Sequence, residues 1–209
     1  MPTRGRSAWA AQALQCWQAQ TYENKELVIL DDSEDPSFPV PPHIPGVLYE
    51  AIDKARSIPE KRNICGRLAH GQLIMNFDSD DWSAPERMAQ QVAFIEETKM
   101  RLVGYNSMIF VDEAGTAFRY FLGINYALGT SLCFRRDWWM THHFPENRSI
   151  GSDNRVVRMA DREGQIATQD VGQMMVARIH SGNSSRKRTD GQRQWKSYNG
   201  PVPEGFTYG

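Results

Sequence analysis

The chain has 209 residues, 40% of them hydrophobic and 23% charged, with a formal net charge of -1. That length builds one domain with a sizeable core, and the charge balance gives no overall pull toward nucleic acid or an anionic membrane. The three cysteines, Cys16, Cys65 and Cys133, are far apart without CxxC spacing. This argues against a disulfide framework and for a reducing, cytoplasmic setting. No apolar run approaches the ~20 residues that cross a bilayer, and no secretory leader pattern is visible.

Ser7 is placed to cap a first helix, in which Ala10, Ala13, Leu14 and Trp17 recur at helical spacing. After a polar break at 20–24, residues 27–30 form a continuous apolar run that suits a strand buried on both faces. It ends in Asp31-Asp32-Ser33. Five prolines between 36 and 45 exclude regular structure there. Residues 47–49 read as a short strand. Pro59 opens a helix with Ile64 and Leu68 on one face, stopping at Gly71. Residues 73–77 make the next strand, which runs into Asp78-Ser79-Asp80-Asp81. Ser83 and Glu86 have capping-box spacing, ahead of a helix with Met88, Val92 and Ile95 as its buried stripe. Helices alternating with strands predict a doubly wound sheet, whose ligands bind outside the carboxyl ends of the strands.

The second half is more mixed. Residues 108–111 and 117–120 flank a turn at 113–116 and read as a hairpin. Residues 131–134 form another strand. Residues 153–162 form a helix with Val156, Val157 and Ala160 inward and Gly164 ending it, and 174–179 are the last strand. Beyond His180 the chain is polar and basic and reads as a fraying tail or flap.

Three carboxylates within Asp78-Ser79-Asp80-Asp81 repel one another unless a cation or hydrogen-bond donors sit among them. Such oxygen ligands suit Mn²⁺ or Mg²⁺ bridging substrate phosphates; a solvated turn ahead of a helix carries the same residues. Asp31 and Asp32 suit contacts to a nucleobase imide or a ribose, and equally suit turn chemistry. Arg4 or Arg6, at the start of the first helix, can add charge to an anion site, and Arg62 lies within reach of a diphosphate. Asp153 at a helix start is a cap or a general base. His180 at a strand end is a packed histidine or a further metal ligand. Trp138, Trp139, His142 and His143 read as core and rim residues, or as a sugar-stacking platform.

Together these segments resemble the family 2 glycosyltransferases of the GT-A fold. The resemblance rests on Pro2-Thr3-Arg4-Gly5-Arg6, on QTYENKELVILDDSED (20–35), on KRNICGRLAHGQLIMNFDSDDWSAPERM (61–88), on GTSLCFRR (129–136) and on IGSDNRVVRM (150–159). It implies an α/β GT-A-type domain over 1–180, mainly parallel with a small antiparallel acceptor-side portion. Residues 1–98 would be the nucleotide-sugar half, 99–180 the acceptor half, and 181–209 the tail. It implies that Thr3, Arg4, Asp31, Asp32 and Arg62 contact a nucleotide diphosphate sugar, with UDP the family's usual carrier. Asp78 and Asp80 would form the D-x-D element, with Asp80, Asp81 and His180 toward the metal. Asp153 would be the base of an inverting transfer. The family opens with an apolar strand before its Pro-Thr element, of which only Met1 is present here, so either an inner strand is expected to be missing or the start as given is short. Where the family has an acidic residue before its catalytic Asp, this chain has Ser152.

The acceptor stays open among glycan, lipid, protein and modified nucleic acid, as does the oligomeric state. Arg178, Arg186, Lys187, Arg188, Arg193 and Lys196, interleaved with Trp195 and Tyr198, motivate a nucleic-acid acceptor; a solvated tail is the plainer alternative. The missing strand and Ser152 motivate a non-catalytic nucleotide-sugar-binding module. A sugar nucleotidylyltransferase would want a glycine-rich phosphate loop, and residues 2–7 offer only Gly5.

Overall fold

The structure is a computed structural model that describes residues 1–34, 44–147, 150–183, 187, 189 and 194–208. Its first sheet is parallel and consists of Pro2–Thr3 (β1), Leu27–Asp31 (β2) and Val47–Ala51 (β3), in that order. Every residue of β2 is buried, as its unbroken apolar run requires. The opening strand expected to be missing survives as the two residues of β1, in register with Leu30 and Asp31. The Met1 ammonium prolongs the contact by donating to the Val28 carbonyl at 2.5 Å. Ahead of this stub Leu27 and Val28 line a cavity of about 710 Å³, and on its far side lie Leu73, Ile74 and Met75.

Ser7–Gln18 (α1) packs Ala10, Ala13, Leu14 and Trp17 into the core. The cap position is Arg6, without a side-chain capping bond, so Ser7 begins the helix and does not cap it. Ile58–Leu68 (α2) starts on a capping box between Ser57 and Glu60, with Pro59 in the first turn, and ends at Ala69, short of Gly71.

A second sheet has the order Ile166–Gln169 (β10), Leu102–Tyr105 (β6), Cys133–Arg135 (β9) and Leu73–Met75 (β4). A third has the order Trp195–Ser197 (β12), Ala117–Phe121 (β8), Ser107–Val111 (β7), Met175–Arg178 (β11) and Asp81–Ser83 (β5). The hairpin β7–β8 forms as expected. Gly115 takes φ 78° in its turn, and the Asp112 carboxylate accepts the Ala114 and Thr116 amides. Arg136–Trp139 (α4) and Ser152–Arg162 (α5) bury Trp139, Val156, Val157 and Ala160.

The sequence reading differs most at the acidic segment. The strand expected over 73–77 stops at Met75, and Asp81–Ser83 becomes a strand of its own because it pairs antiparallel with β11. Ser83 is therefore no helix cap. Its hydroxyl accepts from Arg87 Nη1 at 2.9 Å, and Arg87–Thr98 (α3) begins after Glu86, which makes no side-chain capping bond. Near the end of the chain, the described residues Phe206 and Tyr208 do not fray either. Trp9 Nε1 donates to the Tyr208 carbonyl at 2.9 Å, the Tyr208 hydroxyl donates to the Ile179 carbonyl at 2.7 Å, and Phe206 packs on the Arg178 guanidinium. Among the described residues no helix is long and apolar enough to cross a membrane.

Gly66 marks where α2 meets the core. A Cβ there would lie 2.4 Å from the ring of Trp139, which is 1% exposed and cannot move aside. Overpacking costs ~1–3 kcal/mol, against ~1 kcal/mol gained in helix propensity. A contact this short falls at the upper end, so Gly66→Ala is expected to lower the melting temperature. A rise in a thermal melt would show that Trp139 does not hold that position.

Candidate active site

One cleft of about 340 Å³ gathers Arg6, Arg62, Asp78, Asp80, Asp81 and Asp153. Arg62 reaches it from α2 and donates through Nη2 to both oxygens of Asp78, at 3.0 and 2.8 Å. Burial works against the Arg62 charge, but Asp78 and Asp153 outweigh it and raise its pKa.

Asp80 Oδ2 accepts from Arg6 Nη1 at 2.5 Å and lies 3.0 Å from His180 Nε2. The Gly182 amide donates to Nδ1 of that ring, which assigns the ring proton to Nε2, facing the carboxylate. The ring also packs on Trp9, with centroids 4.5 Å apart. Burial pushes the Asp80 carboxyl upward, yet the His180 hydrogen bond and the Arg6 charge together hold it below the ordinary value. From the other side Arg178, buried with its Nε on the Tyr208 carbonyl, donates through Nη1 to the Asp80 backbone oxygen at 2.7 Å.

Asp81 has the opposite environment. Its carboxylate accepts the Thr130 hydroxyl, and burial followed by repulsion from Asp80 and Asp78 pushes its pKa up to about 8. Asp153, second in α5, is half-buried, and its Oδ1 accepts the neighbouring Asn154 amide at 3.0 Å. The carboxylate lies against Gly129, where any Cβ would overlap it. The glycine therefore gives Asp153 its place beside Thr130 and Asp81.

The other residues singled out from sequence lie elsewhere. Thr3 is buried, and its carbonyl accepts from Lys61 Nζ at 3.0 Å; Arg4 is exposed beside Glu34 at 3.6 Å. Asp31 accepts from the Ser33 amide and the Tyr49 hydroxyl, each at 3.0 Å. Asp32 is a structural anchor: Lys61 Nζ lies 2.6 Å from one oxygen and the Arg56 amide 2.7 Å from the other. None of these four lines the cleft. Of the two readings of Trp138 and Trp139, the structure takes the core one, both residues being buried. Of the basic residues offered for nucleic acid, Arg178 is 2% exposed and committed internally, and Arg186, Arg188 and Arg193 lie outside the described residues. Sequence reasoning did not find Thr130 and gave Arg178 the wrong role. Both are fixed by contacts across 49 and 98 residues of chain, which leave no local pattern.

Among the described residues no group of three or more His, Cys, Asp or Glu side chains is arranged to hold a metal ion. The donors closest to such an arrangement are the Asp80 carboxylate and the His180 imidazole, with the Arg6 cation standing on the same oxygen.

Residues 1–155 match the family described as Glycosyl transferase family 2. The chain belongs to this family. EpsE of Bacillus subtilis (strain 168), assigned as a glycosyltransferase, is 31% identical over 111 residues, covering 50% of this chain and 40% of EpsE. Two crystal structures of S. aureus TarS 1-349 share the fold. The complex with UDP-GlcNAc has a TM-score of 0.72 at 19% identity and covers 88% of this chain and 58% of that one. The complex with UDP has a TM-score of 0.71 at 19% identity and covers 85% and 59%. The mannosyltransferase PcManGT from Pyrobaculum calidifontis, in complex with GDP-Man and Mn²⁺, has a TM-score of 0.67 at 14% identity and covers 88% and 56%. The chain thus has the mixed α/β GT-A fold of this family and spans less than two thirds of each of these proteins.

The acidic corner yields a pH prediction. With its pKa near 8 in the fold, Asp81 keeps a proton that the unfolded chain releases at an ordinary carboxyl pKa, so folding stability falls as pH rises from about 4 to 8. Without divalent ions, Asp81→Asn is expected to remove that component. Its melting temperature should gain on wild type at pH 8 and not at pH 4. Parallel curves for the two proteins would contradict the assignment.

Proposed function

We propose that this cleft transfers a sugar from a nucleotide diphosphate sugar, UDP-linked, to an acceptor hydroxyl with inversion at the anomeric carbon. One observation carries the reading: Arg6, Arg62, Asp78, Asp80 and His180 form a charged corner, and Asp153, a carboxylate with only a local backbone partner among the described hydrogen bonds, stands in the same cleft. The family assignment and the nucleotide complexes of the TarS and PcManGT structures support it.

In this reading Arg62 and Arg6 bind and orient the diphosphate through charge-assisted hydrogen bonds. Asp80 and His180 are two adjacent donors that would hold a divalent ion if one binds here. When bound, Mn²⁺ or Mg²⁺ supplies positive charge to the departing diphosphate. Asp81, tied to Thr130, holds the turn from behind. Thr3, Arg4 and Asp31 stand at the carboxyl ends of β1 and β2 outside the cleft, next to its Pro2, and in this reading the nucleoside extends past Pro2 toward them. Asp153 takes the proton from the acceptor hydroxyl as its oxygen bonds to the anomeric carbon and the diphosphate leaves on the opposite face. The reaction takes place in the cytoplasm, where nucleotide sugars and reduced thiols coexist.

A thermal-shift panel of UDP- and GDP-sugars, with Mn²⁺ or with EDTA, tests donor binding. A ligand of the folded state raises the melting temperature, and the largest rise is expected for a UDP-sugar with Mn²⁺. Asp80→Asn should abolish the part of that rise that depends on Mn²⁺.

For chemistry, Asp153→Asn is expected to slow transfer by about 10²–10⁴-fold while nucleotide binding stays intact. Tight nucleotide binding by wild type with neither transfer nor donor hydrolysis would leave a binding module in place of an enzyme.

A further inference from the structure

The cleft has a second wall that the donor chemistry does not use. Strand β12 adds to β8 antiparallel with Trp195 opposite Tyr120. The two rings lie 4.5 Å apart at an interplanar angle of 40°, and Phe110 of β7 closes the group at 4.9 Å and 60° from Trp195. All three rings line the same cleft as Asp153. Trp195 lies 40 residues past the family match, which ends at residue 155.

Asp153 lines the cleft together with this wall and the acidic corner. On one side it abuts Gly129, next to the Thr130 that bonds Asp81. On the other, Tyr126 donates its hydroxyl to Asn154, the residue after Asp153. Tyr126 lines the same cleft as Asp153 and Tyr120. A group resting on Trp195 and Tyr120 therefore shares one cleft with Asp153 and with the acidic corner assigned to the diphosphate.

We propose that Trp195 and Tyr120, backed by Phe110, form the acceptor subsite and take a sugar ring of a glycan by its C–H face, presenting a hydroxyl to Asp153. The proposal rests on the glycosyl-transfer reading and adds the acceptor's chemical class. Sugar rings present apolar C–H faces that pack on aromatic rings, while their hydroxyls reach polar groups at the rim. Nucleobases also stack on aromatics, but a nucleic acid brings phosphates beside Asp153 and Asp78, and the cation described at this wall is Lys187, 5.3 Å from the Phe110 ring centroid.

The test uses the full chain on an array of immobilised oligosaccharides, with single-stranded oligothymidylate as the competing polymer and UDP binding with Mn²⁺ measured separately by calorimetry. Wild type is expected to bind at least one oligosaccharide. Trp195→Leu, which keeps apolar volume in the strand, should weaken that binding about tenfold with UDP affinity and melting temperature unchanged, and Trp195→Phe should restore most of it. Tyr120→Leu should behave like Trp195→Leu, so the outcome does not depend on one variant folding. A silent array, binding indifferent to both leucine variants, or preference for oligothymidylate overturns the acceptor assignment. Failure of wild type to bind any nucleotide, with glycan binding intact and Trp195-dependent, overturns the donor reading and leaves the aromatic subsite standing.

Discussion

The site depends on the antiparallel pairing of β5 with β11. That ladder sets Asp81 opposite Ala177, so the acidic turn before β5 is held against the end of β11, from which Arg178 and His180 extend. Arg178 then grips the Asp80 carbonyl, and His180 meets the Asp80 carboxylate. Three like charges in four residues are unfavourable in isolation. The fold resolves this unevenly: Asp78 receives Arg62, Asp80 receives Arg6 and His180, and Asp81 is left buried with a neutral hydroxyl.

The buried cations set how rigid this arrangement is. Arg87, fully buried, donates to the Asn76 and Thr130 carbonyls and so fastens the turn before the acidic segment to the loop that supplies Thr130. Lys61 does the same for the first sheet by bridging Asp32 and the Thr3 carbonyl. Removing one partner of such a buried pair strands a charge, which costs ~3–5 kcal/mol. These contacts thus define a rigid frame around the cleft that Asp153 lines.

Several features were legible from residues alone. The apolar run of β2, the hairpin β7–β8 and the inward stripe of α5 follow from local periodicity and turn chemistry, and they appear where expected. The convergence of Arg62, Asp78, Asp80 and Asp153 was reached through family resemblance, since no local spacing links residues 62, 80 and 153. The misreadings share a cause. Ser83 with Glu86 has capping spacing, but strand pairing with β11 claims Ser83 first. Asp32 looks like a ligand contact in sequence, but a lysine 29 residues away takes it. Short-range rules lose to long-range pairing wherever burial makes an unpaired polar group costly.

The sequence by itself determined the α/β class, the placement of acids after two strands and the absence of a strong net charge, because each depends on neighbours within a turn or a strand. Only the tertiary structure decided which acid faces which cation, that Asp32 serves the frame, and that Trp195 stands beside Tyr120 and not in a solvated tail. Those outcomes depend on distances between residues far apart in the chain, and such distances are set when sheets pair and charges lose their water.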